Sequence, residues 1–153
     1  MKNKKMIIII GIVLIAGFLL FKKDLWEKNE ELLREQILSI GQSVETIELT
    51  DVTPFEWDTI YSFSPYTPKE QIYEIVGYKW DRISETMSEG MNQIVFLKDG
   101  KVVCYVYGYP TTIGYSISYF GETLAESATV LKVSDDLTFQ VQREGEVVHL
   151  IKD

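Results

Sequence analysis

The chain has 153 residues and a formal charge of −8, but every acidic residue lies after Phe21, and from Asp24 onward 10 basic residues face 23 acidic ones, a net of −13. So acidic a surface repels phosphate backbones and argues against nucleic acid as a partner. With one cysteine, Cys104, and one histidine, His149, the chain can form neither an intrachain disulfide nor a closed Cys/His zinc site.

The chain opens with a short basic tail, residues 1–5, carrying Lys2, Lys4 and Lys5. Met6 to Phe21 follows, sixteen residues without a charged or amide side chain, closed by Lys22 and Lys23. A helix of that length rises about 24 Å against roughly 30 Å of bilayer hydrocarbon, and snorkelling lysines with Leu25 and Trp26 at the interface close the gap. The stretch predicts a transmembrane signal-anchor helix, with the lipid bilayer as its partner. Cleavage by signal peptidase needs small residues after the apolar run, yet Phe18, Leu19, Leu20 and Phe21 stand there. Leu14-Ile15-Ala16-Gly17 has the outline of a lipoprotein signal, but Phe18 replaces the cysteine that would carry the lipid. A permanent single-pass anchor is expected. Its short head without acidic residues favours the cytoplasm, which places the C-terminal domain outside the cell membrane.

Residues 22–43 read as a juxtamembrane helix or stalk, with Leu25, Leu32, Leu33, Ile37 and Ile40 at helical spacing up to Gly41. With fewer than three clean heptads, it is expected to be a spacer whose apolar side packs on the domain or lies near the bilayer rather than a self-associating stalk. Residues 44–153 are expected to form one extracytoplasmic domain. Val44 to Thr50 and Phe55 to Phe63 alternate as strands, separated by Pro54. Thr67-Pro68-Lys69-Glu70 then predicts a helix with Thr67 as N-cap, Pro68 at its first position and Glu70 bonding back to the cap, and Gly77 ends it. Tyr78 to Asn92, containing Trp80, is a long polar connection and a candidate binding loop. Gln93 to Tyr107 predicts a hairpin around Asp99-Gly100, pairing Leu97 with Val102, Val95 with Cys104, Phe96 with Val103 and Ile94 with Tyr105. Both faces of that hairpin are apolar, so it should lie centrally, covered by the helix on one side and by another layer or loop on the other. Cys104 in this pattern reads as a small buried hydrophobe. Three strands close the chain, Ala128 to Val133, Leu137 to Gln142 and Val147 to Ile151. The fold class is α+β: an N-terminal transmembrane helix followed by a mainly antiparallel β domain with one capped helix.

The stretch from Trp57 through Pro65-Tyr66-Thr67 to Gly77, followed by VFLKDGKVV at Val95 to Val103, resembles a group of uncharacterised small bacterial extracytoplasmic proteins, some of them lipoproteins. The resemblance covers about a third of the chain and implies a shared domain. Its motifs are a strand, a capped helix and a turn, so it carries over no catalytic residue. The lipidated cysteine of the lipoprotein members is missing here.

No catalytic set stands out. His149 falls in the last strand pattern, beside Gln140 if the preceding turn is tight. Gly114-Tyr115-Ser116 starts like a nucleophile elbow but has Ser118 where the second glycine belongs. Asp135-Asp136 and the Glu85 to Glu89 stretch match no calcium-loop spacing, so no metal is expected. Neither a phosphate loop nor a dinucleotide fingerprint is present, so no cofactor is expected either. Glu56, Asp58 and Asp81, flanked by aromatics, are the carboxylates that a small cell-envelope hydrolase would have to pair. Binding has more to build on. Tyr105, Tyr107, Tyr109, Tyr115, Tyr119 and Phe120, with Trp80, supply large amphipathic side chains at low entropic cost, suited to a protein or cell-wall partner. The expectation is a membrane-anchored, non-enzymatic interaction module, with the carboxylate hydrolase as the alternative.

Overall fold

Two facing sheets dominate the computed structural model, which describes residues 23–153. One holds β1 (Thr46–Glu48), β8 (Thr138–Glu144), β9 (Val147–Lys152) and β5 (Tyr115–Tyr119) in that order. The other holds β4 (Lys101–Gly108), β3 (Asn92–Lys98), β2 (Thr59–Phe63), β7 (Ala128–Lys132) and β6 (Glu122–Leu124). All neighbours run antiparallel except β5 and β9. The domain is therefore α+β and mainly antiparallel. The expected span Met6 to Phe21 lies outside the described residues; among those described, no helix is long and apolar enough to cross a membrane.

Strand alternation sends β3 and β4 side chains to two separate cores. Ile94, Phe96, Cys104 and Val106 meet Tyr115, Ile117, Phe139 and Leu150 between the sheets. On the opposite face Val95, Leu97 and Tyr105 pack with Phe63, with Ile72 and Val76 of helix α3 (Lys69–Val76), and with Ile83. The hairpin is covered on both sides, as its two apolar faces require. Its turn has Asp99 and Gly100 at φ of 50° and 71°, as the Asp-Gly pair predicts.

The register departs from expectation by one residue. Leu97 pairs with Val102, but Phe96 then pairs with Cys104, Val95 with Tyr105 and Ile94 with Val106. Val103 is the extra residue of a β-bulge, which turn-based counting cannot anticipate. The bulge lets Val103 and Cys104, adjacent in sequence, both reach the inter-sheet core.

Helix α1 (Leu25–Leu38) lies along β4, the edge of the five-stranded sheet. Asn29, Leu33 and Ile37, four residues apart, form its buried face. Leu33 and Ile37 join the inter-sheet core, while the Asn29 side-chain amide donates to the Val103 carbonyl at 2.8 Å, satisfying a backbone group at the bulge. The helix is thus a wall of the domain. Leu25, assigned to its apolar stripe by spacing, is 62% exposed.

Three local readings are corrected. Val44 to Thr50 is not one strand: β1 gives way after Glu48 to a single turn, α2 (Leu49–Val52), because Leu49 and Val52 both dip into the core. α3 begins one residue later than expected, with Pro68 as its cap; the Thr67 hydroxyl donates to the Ser64 carbonyl, and Glu85 of the long connection accepts the Lys69 N–H at 2.9 Å. The cap comes from a distant carboxylate in place of Glu70. Gly77 does end α3 in the left-handed region, at φ 93°. His149 pairs with Gln142 rather than Gln140.

Candidate functional site

A groove of about 510 Å³ opens where α1, β4, the 78–91 connection and the short helix α4 (Pro110–Ile113) meet. Trp26, Glu30 and Arg34 line it from α1, and their spacing of four residues stacks them along one helical face. Tyr105 and Tyr107, two apart on β4, share one face of the strand. Arg82 and Ser84 come from the connection, Thr112 and Ile113 from α4.

The groove wall is an aromatic cluster. Trp26 and Trp80 meet edge to face at 5.4 Å between centroids, Trp80 and Tyr105 likewise at 5.4 Å, and Tyr105 and Tyr107 stack at 5.8 Å. Such contacts add stability beyond the area they bury. The Trp26 indole nitrogen is buried without a hydrogen-bond acceptor. Tyrosine hydroxyls hold the connection to the sheet: Tyr107 donates to the Glu85 carbonyl at 2.9 Å, Tyr105 accepts from the Ser84 N–H at 3.1 Å, and Tyr78 accepts from the Val102 N–H at 2.9 Å. Burial pushes the Tyr105 hydroxyl up to about 12, so it stays a neutral donor and acceptor.

Charge in the groove is mixed. Burial raises the Glu30 carboxyl above its ordinary range, opposed by the hydrogen bond it accepts from Tyr115 at 3.3 Å and by nearby Arg34. Arg82 lies 3.4 Å from Asp24, both side chains more than half exposed. Arg34 makes no ion pair within 4 Å among the described residues.

The expected aromatic surface divides. Tyr105 and Tyr107 do line the groove, and Trp80 packs against Tyr105 and Trp26 beside it without lining it. Tyr115 is fully buried between the sheets, its hydroxyl reaching back to Glu30. Tyr119 is buried too, donating to the carbonyls of Ile60 and Thr129. Both belong to β5, whose alternation turns its odd-numbered residues inward, so neither can meet a partner. Tyr109 is exposed at the start of α4, and Phe120, 77% exposed, stands at the opposite end of β5. Trp26 was assigned to the membrane interface, whereas it packs against Trp80 and Tyr105, and Glu30, Arg34 and Arg82 were not singled out as site residues. The spacing of Trp26, Glu30 and Arg34 was available, but it lay on a helix read as a spacer.

The other chemistries are placed apart from the groove. Ser116 and His149 sit side by side on the parallel strands β5 and β9, Oγ to Nδ1 2.7 Å, with a Glu144 carboxylate oxygen 3.9 Å from Nε2. These groups occur in triad order, yet they lie on a sheet face, and Glu144 is 91% exposed. Their hydrogen bond ties β5 to β9. Asp58 accepts the Asp99 N–H at 2.8 Å and braces the hairpin turn, while Asp81 is exposed beside Lys79. Asp136, held down to about 2 by the Thr138 amide and then by Lys152, closes another turn. Among the described residues no three His, Cys, Asp or Glu side chains converge as metal ligands.

No protein-family model matches the chain, and comparison with curated proteins and with solved structures finds no similar chain.

Proposed function

We propose that this is a non-enzymatic binding module, held on the outer face of a bacterial cell membrane by Met6 to Phe21, and that a protein or cell-wall partner docks in the α1–β4 groove. The observation that carries the reading is the composition of that groove. It gathers a tryptophan, two tyrosines and two arginines, the residue types that dominate binding energy at interfaces, around one concavity. The hydrolase alternative needs two convergent carboxylates, and Glu30 is the one acidic residue in the lining. Three residues separate Phe21 from α1, so a tether in the bilayer presents the groove close to the membrane surface.

A photo-crosslinking side chain at Thr112, on the groove rim, tests this in intact cells, with the same side chain at Gln140 on the exposed face of β8 as the control. The expected outcome is an adduct specific to Thr112 that Arg82→Glu abolishes. Equal adducts at both positions, or none at Thr112, would remove the groove as the docking site. Protease treatment of spheroplasts checks the orientation: the domain is expected to be digested without membrane rupture.

A further inference from the structure

We propose that the groove selects its ligand by an anionic oxygen group, carboxylate or phosphate, joined to an apolar or aromatic portion. The inference rests on the groove being the docking site and names what it reads. The domain carries −13 net from Asp24 onward and has three arginines. Two of them, Arg34 and Arg82, line this one cavity from different elements. The third, Arg143, is engaged by the backbone carbonyls of Ile40 and Gly41 at 3.0 and 2.9 Å. Arg34 has no ionic partner within 4 Å among the described residues, and Arg82 has Asp24 at 3.4 Å in a solvated pair that a ligand can displace. Two arginines against the single carboxylate of Glu30 in the lining are a local excess of cation on so acidic a body, and guanidinium groups match carboxylate and phosphate oxygens in fork geometry.

The rest of the lining fits the other half of such a ligand. Trp26, Tyr105, Tyr107 and Ile113 present ring and aliphatic surface, and the volume of about 510 Å³ falls within the usual range for small-ligand pockets. Glu30 sets a sign rule on the wall: a second negative charge is tolerated only where the arginines outweigh it.

The test uses the full chain in non-ionic micelles with its three tryptophan indoles labelled for NMR. Trp26, in the lining, and Trp80, packed against Trp26 and Tyr105, report the groove; Trp57, whose indole donates to Thr53 at 2.9 Å in the inter-sheet core, reports the fold and serves as the internal control. The probes are phenylacetate, phenyl phosphate and neutral phenylacetamide. At least one anion is expected to shift Trp26 and Trp80 saturably without moving Trp57, with phenylacetamide about tenfold weaker or more. Arg34→Gln and Arg82→Gln are each expected to weaken the anion about tenfold, and Lys98→Gln to leave it unchanged. Which anion binds more tightly separates a carboxylate from a phosphate source. Phenylacetamide binding as tightly as the anions, or arginine variants that bind normally with Trp57 in place, would overturn the anion rule and leave the docking site standing. If no probe moves Trp26 or Trp80, the anion rule is overturned, and the Thr112 adduct then decides separately whether the groove docks anything.

Discussion

Glu30 is where the groove and the fold compete. Its carboxyl is raised by burial against the groove wall, and the Tyr115 hydroxyl and Arg34 recover part of that cost. A carboxyl whose folded pKa lies above its unfolded value contributes stability in full below the unfolded value, and loses it as the pH rises through the folded one. At neutral pH the ionised Glu30 is therefore a liability to the fold. Glu30→Gln, which keeps an oxygen to accept from Tyr115, is expected to raise the free energy of unfolding near pH 7 by up to about 1 kcal/mol and to be neutral near pH 4. Urea melts at the two pH values check it; an equal effect at both would mean that packing, and not ionisation, sets the difference.

At the level of elements, α1 shows how far helical spacing reaches. Helical periodicity located it well, and Leu33 and Ile37 were on its apolar stripe, but periodicity cannot say what a stripe faces. The missing information was Asn29, a polar residue at the centre of the buried face, whose partner is the Val103 carbonyl freed by a bulge in a strand 74 residues away. The same bulge defeated the hairpin register, because turn chemistry fixes pairing only as far as the ladder stays regular. Strand patterns read correctly where continuous apolar runs flanked a clear turn, as in β3 and β4, and failed where a chain segment turned into the core after three residues, as β1 does before Leu49. The site was half legible for the same reason. Tyr105 and Tyr107 could be picked by type, whereas Tyr115 and Tyr119 look identical in composition and differ only in the direction their strand imposes. If α1 is a wall, Ile37→Ala should cost about 2–5 kcal/mol, as in any core. Leu25→Ala, on the exposed side of the same helix, should stay within about 0.5 kcal/mol. Paired urea melts of the two variants check this, and similar small effects would mean that α1 adds little to the fold.

For the molecule as a whole, Cys104 offers a built-in reporter of how its parts come undone. It sits on β4 opposite Phe96, fully buried between the sheets, and burial raises its thiol, so the native protein presents neither access nor thiolate to a labelling reagent. Reaction requires opening, and the place of Cys104 on the edge strand leaves two routes. Either α1 peels away from β4 and exposes the inter-sheet core locally, or the two sheets separate in global unfolding. Leu33 and Ile37 share one core with Phe96, Phe139 and Leu150, which predicts the second route. The free energy of opening from Cys104 labelling should therefore equal that from urea unfolding, and Ile37→Ala should lower both by the same amount. Labelling much faster than global unfolding, accelerated further by Ile37→Ala, would show that α1 detaches on its own. The groove would then be a movable jaw, since one of its walls is the helix that leads from the predicted membrane span into the domain.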